Sequence, residues 1–195
     1  MKHVPNALTL FRIVMVPFFG WALLAQDGEN AWLRLLSWVL FALAMVTDKI
    51  DGDLARKHNL VSNFGKIADP IADKLLTGMA FIGLAILGDI WWWVTILVLA
   101  REWLVTAVRF AVVSKVVLAA DTLGKWKTAV QALALGGLCL PLRDPDLTQP
   151  WHGIGEVLYY CFQAGLVVAV VLTLVSGYQF FADVWRKRGS LRAVS

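Results

Sequence analysis

Charge is scarce in this chain, and the usual features of a soluble or secreted domain are scarcer still. Charged residues occupy 16% of the 195 positions and hydrophobic ones 59%, whereas a soluble globule holds roughly 45 to 50% apolar residues. That balance excludes a water-soluble fold. The only two cysteines, Cys139 and Cys161, both lie in apolar segments. They offer neither a disulfide framework nor a thiolate metal site and read as packing residues. No internal repeat or low-complexity tract divides the chain. No A-x-A-like site follows the first apolar stretch, which contains Arg12 and Pro17, so that stretch is expected to be retained rather than removed as a signal peptide.

What the chain does have is long apolar runs. Six stand out, at about 7–25, 31–56, 66–88, 90–118, 124–141 and 153–182, each near or above the roughly 17 residues that a spanning helix needs. Of the 18 Lys and Arg, all but Arg34 and Arg143 fall on or toward one side of such a bundle. The net charge of +4 is therefore read as positive-inside asymmetry and not as a nucleic-acid-binding surface. Trp32, Trp91, Trp92, Trp93 and Trp151 at one boundary, with Trp126 and Trp185 at the other, read as interfacial anchors. The expectation is an all-α integral membrane protein of six transmembrane helices, forming a single domain over 1–195. It would be multi-pass in the cell (inner or plasma) membrane, with both termini, a polar cavity and a basic tail over 183–195 on the cytoplasmic side. The tail suits a stop signal with affinity for anionic headgroups.

Against this background Asp48, Asp51, Asp69 and Asp73 are costly. Four ionised carboxylates facing lipid would oppose insertion by about 10 kcal/mol, so they must line a polar cavity or lie near water. At about 100° per residue, Asp48, Asp51, Gly52, Ala55 and Arg56 share one helical face, while Asp53 lies about 140° away and reads as a bystander. Gly65, Asp69 and Asp73 share a face of the next helix, and the short connection His58 to Asn63 predicts antiparallel neighbours with facing carboxylates. Converging carboxylates need cations among them. Hard oxygen ligands favour Mg²⁺, Mn²⁺ or Ca²⁺, and a two-metal site that bridges phosphate oxygens is the natural inference. Small residues beside it would let a flat base or pyrophosphate approach the backbone, although Gly52, Ala55 and Gly65 also suit close helix packing.

The run Asp48-x2-Asp51-Gly52-x2-Ala55-Arg56-x8-Gly65-x3-Asp69-x3-Asp73 resembles the complete signature of the CDP-alcohol phosphatidyltransferases, at all eight positions. A chance match at a given register is on the order of 10⁻¹⁰. The resemblance implies transfer of a phosphatidyl group from CDP-diacylglycerol to an alcohol, with release of CMP and two Mg²⁺ or Mn²⁺ ions as cofactors. It further implies that Asp48, Asp51 and Asp69 bind metal with Asp73 contributing, that Asp73 is also the general base, and that Gly52, Arg56, Gly65 and Ser62 contact the CDP moiety. A homodimer among membrane lipids is implied as well.

Three further clusters bear on the acceptor. The segment Pro5 to Arg12 resembles the entry helix of the phosphatidylglycerophosphate synthases within this family, where Asn6 and Thr9 would help hold CDP-diacylglycerol. Either could equally organise a helix start after Pro5. Arg101 and Arg109, eight residues apart, call for an anionic partner, with Glu102 a possible neutraliser of Arg101. Lys125, Lys127 and Thr128 open the fifth span, where helix N-terminal amides and ammonium groups suit a phosphate, or the lysines could snorkel. Together these runs resemble the same synthases, which implies sn-glycerol 3-phosphate as acceptor. Inositol phosphate, serine and phosphatidylglycerol stay open as other acceptors, and a divalent-cation transporter is the alternative of a different class.

Overall fold

The structure is a computed structural model and describes residues 4–57, 63–112, 122–144 and 151–192. Six helices account for nearly all of it: α1 Val4–Leu24, α2 Ala31–Lys57, α3 Asn63–Ile86, α4 Trp92–Val112, α5 Thr122–Cys139 and α6 Trp151–Arg192, with a 3₁₀ turn Ala25–Gly28 between α1 and α2. No strand occurs among the described residues. Each of the six apolar runs contains a helix; 113–118 of the fourth run lie outside the described residues, and α6 extends ten residues beyond the expected end. Three stretches, Ala7–Gly28, Ala31–Asp48 and Trp151–Arg186, are long and apolar enough to cross a membrane by composition alone. The helices α3 and α4 fall short of that measure because Asp69, Asp73, Lys74, Arg101, Glu102 and Arg109 interrupt them.

Local chemistry sets several ends. Asn30 caps α2, its side-chain oxygen accepting the Leu33 N–H at 3.1 Å, which satisfies one of the donors a helix start leaves open. The chain reaches that cap through Gln26, Asp27 and Gly28, all at positive φ (54°, 53° and 72°). Gly28 is buried there, and a Cβ would stand 2.8 Å from the Leu87 side chain. At its far end α6 does not stop where the basic residues begin. It runs for 42 residues to Arg192, so most of the expected tail is a continuation of the helix.

The packing centres on α1. Phe19, Leu23, Phe41, Leu76, Phe81 and Leu84 are at most 2% exposed and form the core between α1, α2 and α3. Gly20 lies under Met79 and Gly83 under Leu23, so two missing Cβ atoms let α1 and α3 approach closely. The predicted direct pairing of α2 with α3 is met only in part, since α1 packs against each of them more extensively than they pack on one another. The helices α5 and α6 form a second close pair. Outward-facing side chains are apolar: Trp21, Trp32, Trp91, Trp103, Trp126, Trp151 and Trp185 are all exposed, as the surface of a membrane protein requires. Cys139 is buried, Cys161 exposed, and both are free thiols.

A polar knot ties the helix ends remote from the aspartates. Arg34 donates to Asp89 Oδ2 at 3.0 Å and to the carbonyls of Leu138 and Cys139 at 2.6 and 3.4 Å. These carbonyls end α5 and have no partner of their own within the helix. Tyr159 and Gln163 of α6 add donors to the Asp89 carboxylate and carbonyl at 3.1 and 2.6 Å.

Candidate active site

The first contribution comes from α1. Thr9 and Arg12 are three residues apart, so they share a face, and both are buried, at 1% and 0% exposure. The Thr9 hydroxyl donates to Asp69 Oδ1 at 2.6 Å, and Arg12 pairs with Asp48. One turn of α1 therefore draws together a carboxylate from α2 and one from α3, although the two lie 21 positions apart in sequence. Asp73 follows one turn beyond Asp69 on α3, and Gly65, one turn before it, is buried. Asp48 and Asp69 are thus each clamped to α1, while among the described residues no three carboxylates, histidines or cysteines stand close enough together to hold a metal ion.

Other predicted residues lie partly or wholly outside the described set. The backbone of Asp51, Gly52, Asp53 and Arg56 continues α2, that of Asn6 belongs to α1 and that of Lys125 to α5, but their side-chain surroundings lie outside the described residues. Ser62 lies outside them altogether.

The second contribution is a buried ion network. Lys74 Nζ lies 2.9 Å from Asp73 Oδ2 and 2.7 Å from Glu102 Oε2. Glu102 also receives Arg101 Nη1 at 2.9 Å and the Lys127 ammonium. Arg101 Nη2 reaches on to Ser176 Oγ at 2.8 Å. Three helices, α3 to α5, thus meet at one carboxylate, which is 4% exposed, and Arg101 links it to α6. Lys127 is buried in this network, so it is not a lysine snorkelling at the interface. Arg101 is indeed paired with Glu102.

The structure does not unite all the predicted acceptor residues. Arg109 is exposed, its guanidinium 5.8 Å from the centre of the Phe180 ring, whereas Arg101 turns inward. Eight residues also carry Arg109 about 12 Å further along α4, where it lies beside Phe180 of α6. Thr128 is exposed and its hydroxyl donates to the Gly124 carbonyl at 2.9 Å, so it points away from its neighbour Lys127.

Sequence reasoning passed over Arg12, Lys74 and Glu102 as site residues. Each carried a signal, being a charge inside an apolar run, but only the fold supplies their partners.

Carboxylates and buried cations paired between long apolar helices give the polar interior of a membrane protein. Residues 2–177 match the CDP-alcohol phosphatidyltransferase family. The chain belongs to that family. It is 42% identical over 192 residues to a probable phosphatidylglycerophosphate synthase of Mycobacterium tuberculosis (strain H37Rv), covering 98% of this chain and 86% of that protein. It is 38% identical over 181 residues to the CDP-diacylglycerol–glycerol-3-phosphate 3-phosphatidyltransferase of Rickettsia bellii, covering 92% and 94% of the two. With the protein of the same name from Bacillus subtilis (strain 168) it shares 36% identity over 197 residues, 95% and 96% of each chain.

Proposed function

We propose that this chain transfers the phosphatidyl group of CDP-diacylglycerol to sn-glycerol 3-phosphate, giving phosphatidylglycerophosphate and CMP. The observation that carries the reading is the fastening of Asp48 and Asp69, from the two halves of an unbroken family signature, to one turn of α1. The names of the relatives point to the same reaction and the same acceptor.

The chemistry of the donors suits a hard divalent cation, since Asp48, Asp69 and Asp73 offer only carboxylate oxygens and Thr9 holds one of them as an outer partner of a metal ligand does. Asp48, Asp51, Asp69 and Asp73 would hold two Mg²⁺ or Mn²⁺ ions, which when bound would neutralise the pyrophosphate and make CMP a better leaving group. Asp73 would take the proton of the acceptor hydroxyl. The hydroxyl oxygen forms its bond to the β-phosphorus of CDP-diacylglycerol as the bridging P–O bond breaks, and CMP departs with that electron pair. Lys74 holds the Asp73 carboxylate from its other side. Asn6, Gly52, Arg56, Ser62 and Gly65 would line the CDP-diacylglycerol path, and Arg101 and Lys127 would face the acceptor phosphate.

In this reading all six helices cross the membrane, the aspartates open to the cytoplasm with both termini, and the protein works as a homodimer. The test is CMP release by purified protein given CDP-diacylglycerol and Mn²⁺ or Mg²⁺, across a panel of acceptor alcohols. Glycerol 3-phosphate should support turnover. No release with any acceptor refutes the proposal, and release only with serine or inositol phosphate moves the acceptor.

A further inference from the structure

We propose that Glu102 is a positioning residue for the acceptor's phosphate monoester, holding Lys74, Arg101 and Lys127 in register without itself touching substrate. The inference rests on the reaction proposed above and adds a residue to it.

Glu102 is nearly inaccessible, and its carboxylate gathers cations from three different helices. A carboxylate serving only the stability of the fold needs one partner, and buried ion pairs are weak stabilisers even so. At Glu102 three cations stand against one carboxylate, with Asp73 reached by Lys74 alone, so positive charge is in local excess at this end of the site. Such a surplus calls for an anion. Donors are also left over: Arg101 Nε is buried without a hydrogen-bond partner among the described residues, and Glu102 takes up only part of the Lys127 ammonium.

The site is built to hold Arg101 in place. Ser176 accepts from its Nη2, and the next residue, Gly177, leaves room for the side chain. A Cβ on Gly177 would stand 2.8 Å from Arg101 Nε and 3.4 Å from its Cγ. Lys74, shared between Asp73 and Glu102, fixes the cluster to the group that would receive the hydroxyl proton. One end of a glycerol phosphate can thus meet the base while the other meets the cations. Glu102 sets that separation.

The experiment measures both substrates in steady state for wild type, Glu102→Gln, Glu102→Asp and Gly177→Ala, with inorganic phosphate as a competitive probe. For Glu102→Gln the KM for glycerol 3-phosphate should rise about tenfold or more, the inhibition constant of phosphate should rise with it, and the KM for CDP-diacylglycerol should stay within about twofold. Glu102→Asp, which keeps the charge but withdraws it by one methylene, should be intermediate. Gly177→Ala should raise the acceptor KM by displacing Arg101. If Glu102→Gln does not accumulate, the other two variants decide. An unmoved acceptor KM in both overturns the proposal, as does a parallel rise in both KM values with a drop in melting temperature. A wild-type protein that releases no CMP with glycerol 3-phosphate sinks the functional reading instead, so the two failures are told apart.

Discussion

Replacing Thr9 by Val removes one hydroxyl and changes little else, because valine has nearly the same shape. The hydroxyl donates to Asp69 at 2.6 Å from a position only 1% exposed. A hydrogen bond to a charged group contributes about 1.5 to 3 kcal/mol. Since Asp69 is exposed on its other side, the lower figure applies, and about 1.5 kcal/mol corresponds to roughly a tenfold change in an equilibrium constant. If Asp69 is a metal ligand oriented by Thr9, that change should appear in metal affinity, where loss of an outer partner costs about 10- to 100-fold. The assay is CMP release against Mn²⁺ concentration at saturating CDP-diacylglycerol and acceptor. The concentration for half activation should rise about tenfold, with the maximal rate at high metal largely recovered. An unchanged activation curve would refute the clamp, and a lowered maximal rate with unchanged metal dependence would assign Thr9 to the lipid substrate.

Asp73→Asn should abolish turnover while the protein remains inserted; near-normal CMP release would remove Asp73 as the base. Asp53→Asn should keep activity within about twofold because helical phase turns it from the site, and a metal-dependent loss would reverse the orientation assigned to α2. Arg34→Met should lower stability by about 3 kcal/mol in a denaturant titration, since it leaves the buried Asp89 without its cation, with both side chains at most 15% exposed in the native protein. No change in the midpoint would show the knot to be dispensable.

The helices were readable because apolar runs longer than a bilayer is thick leave few alternatives. That Asp69 and Asp73 lie on one side of α3 was readable because their spacing repeats the turn of a helix. Arg12 illustrates what was not: in the sequence it is one more basic residue on the expected inner side, and only the approach of α1 to α2 makes it the partner of Asp48. Along the sequence Arg101 and Glu102 are two charges inside an apolar span. Lys74 and Lys127, 28 and 25 residues away from Glu102 in the chain, remove the difficulty. Pattern along one helix carries no information about which charge on another will face it. The division between Arg101 and Arg109 was missed for a smaller reason: a shared helical side does not make a shared site when two turns, about 12 Å, lie between the residues.

The clamp on α1 bears on the order in which the molecule comes into being. Thr9 and Arg12 are made first, so Asp48 and Asp69 meet waiting partners as soon as α2 and α3 arrive. Lys74 has its neighbour Asp73 at once but waits for the rest of its network: Glu102 comes a helix later, Lys127 a helix after that, and Ser176 only near the end of synthesis. The carboxylate half of the site can therefore mature while the chain is still growing, whereas the basic half is completed only when α6 docks. A nascent chain halted before α6 would hold the aspartates in order and leave Arg101 without its seat.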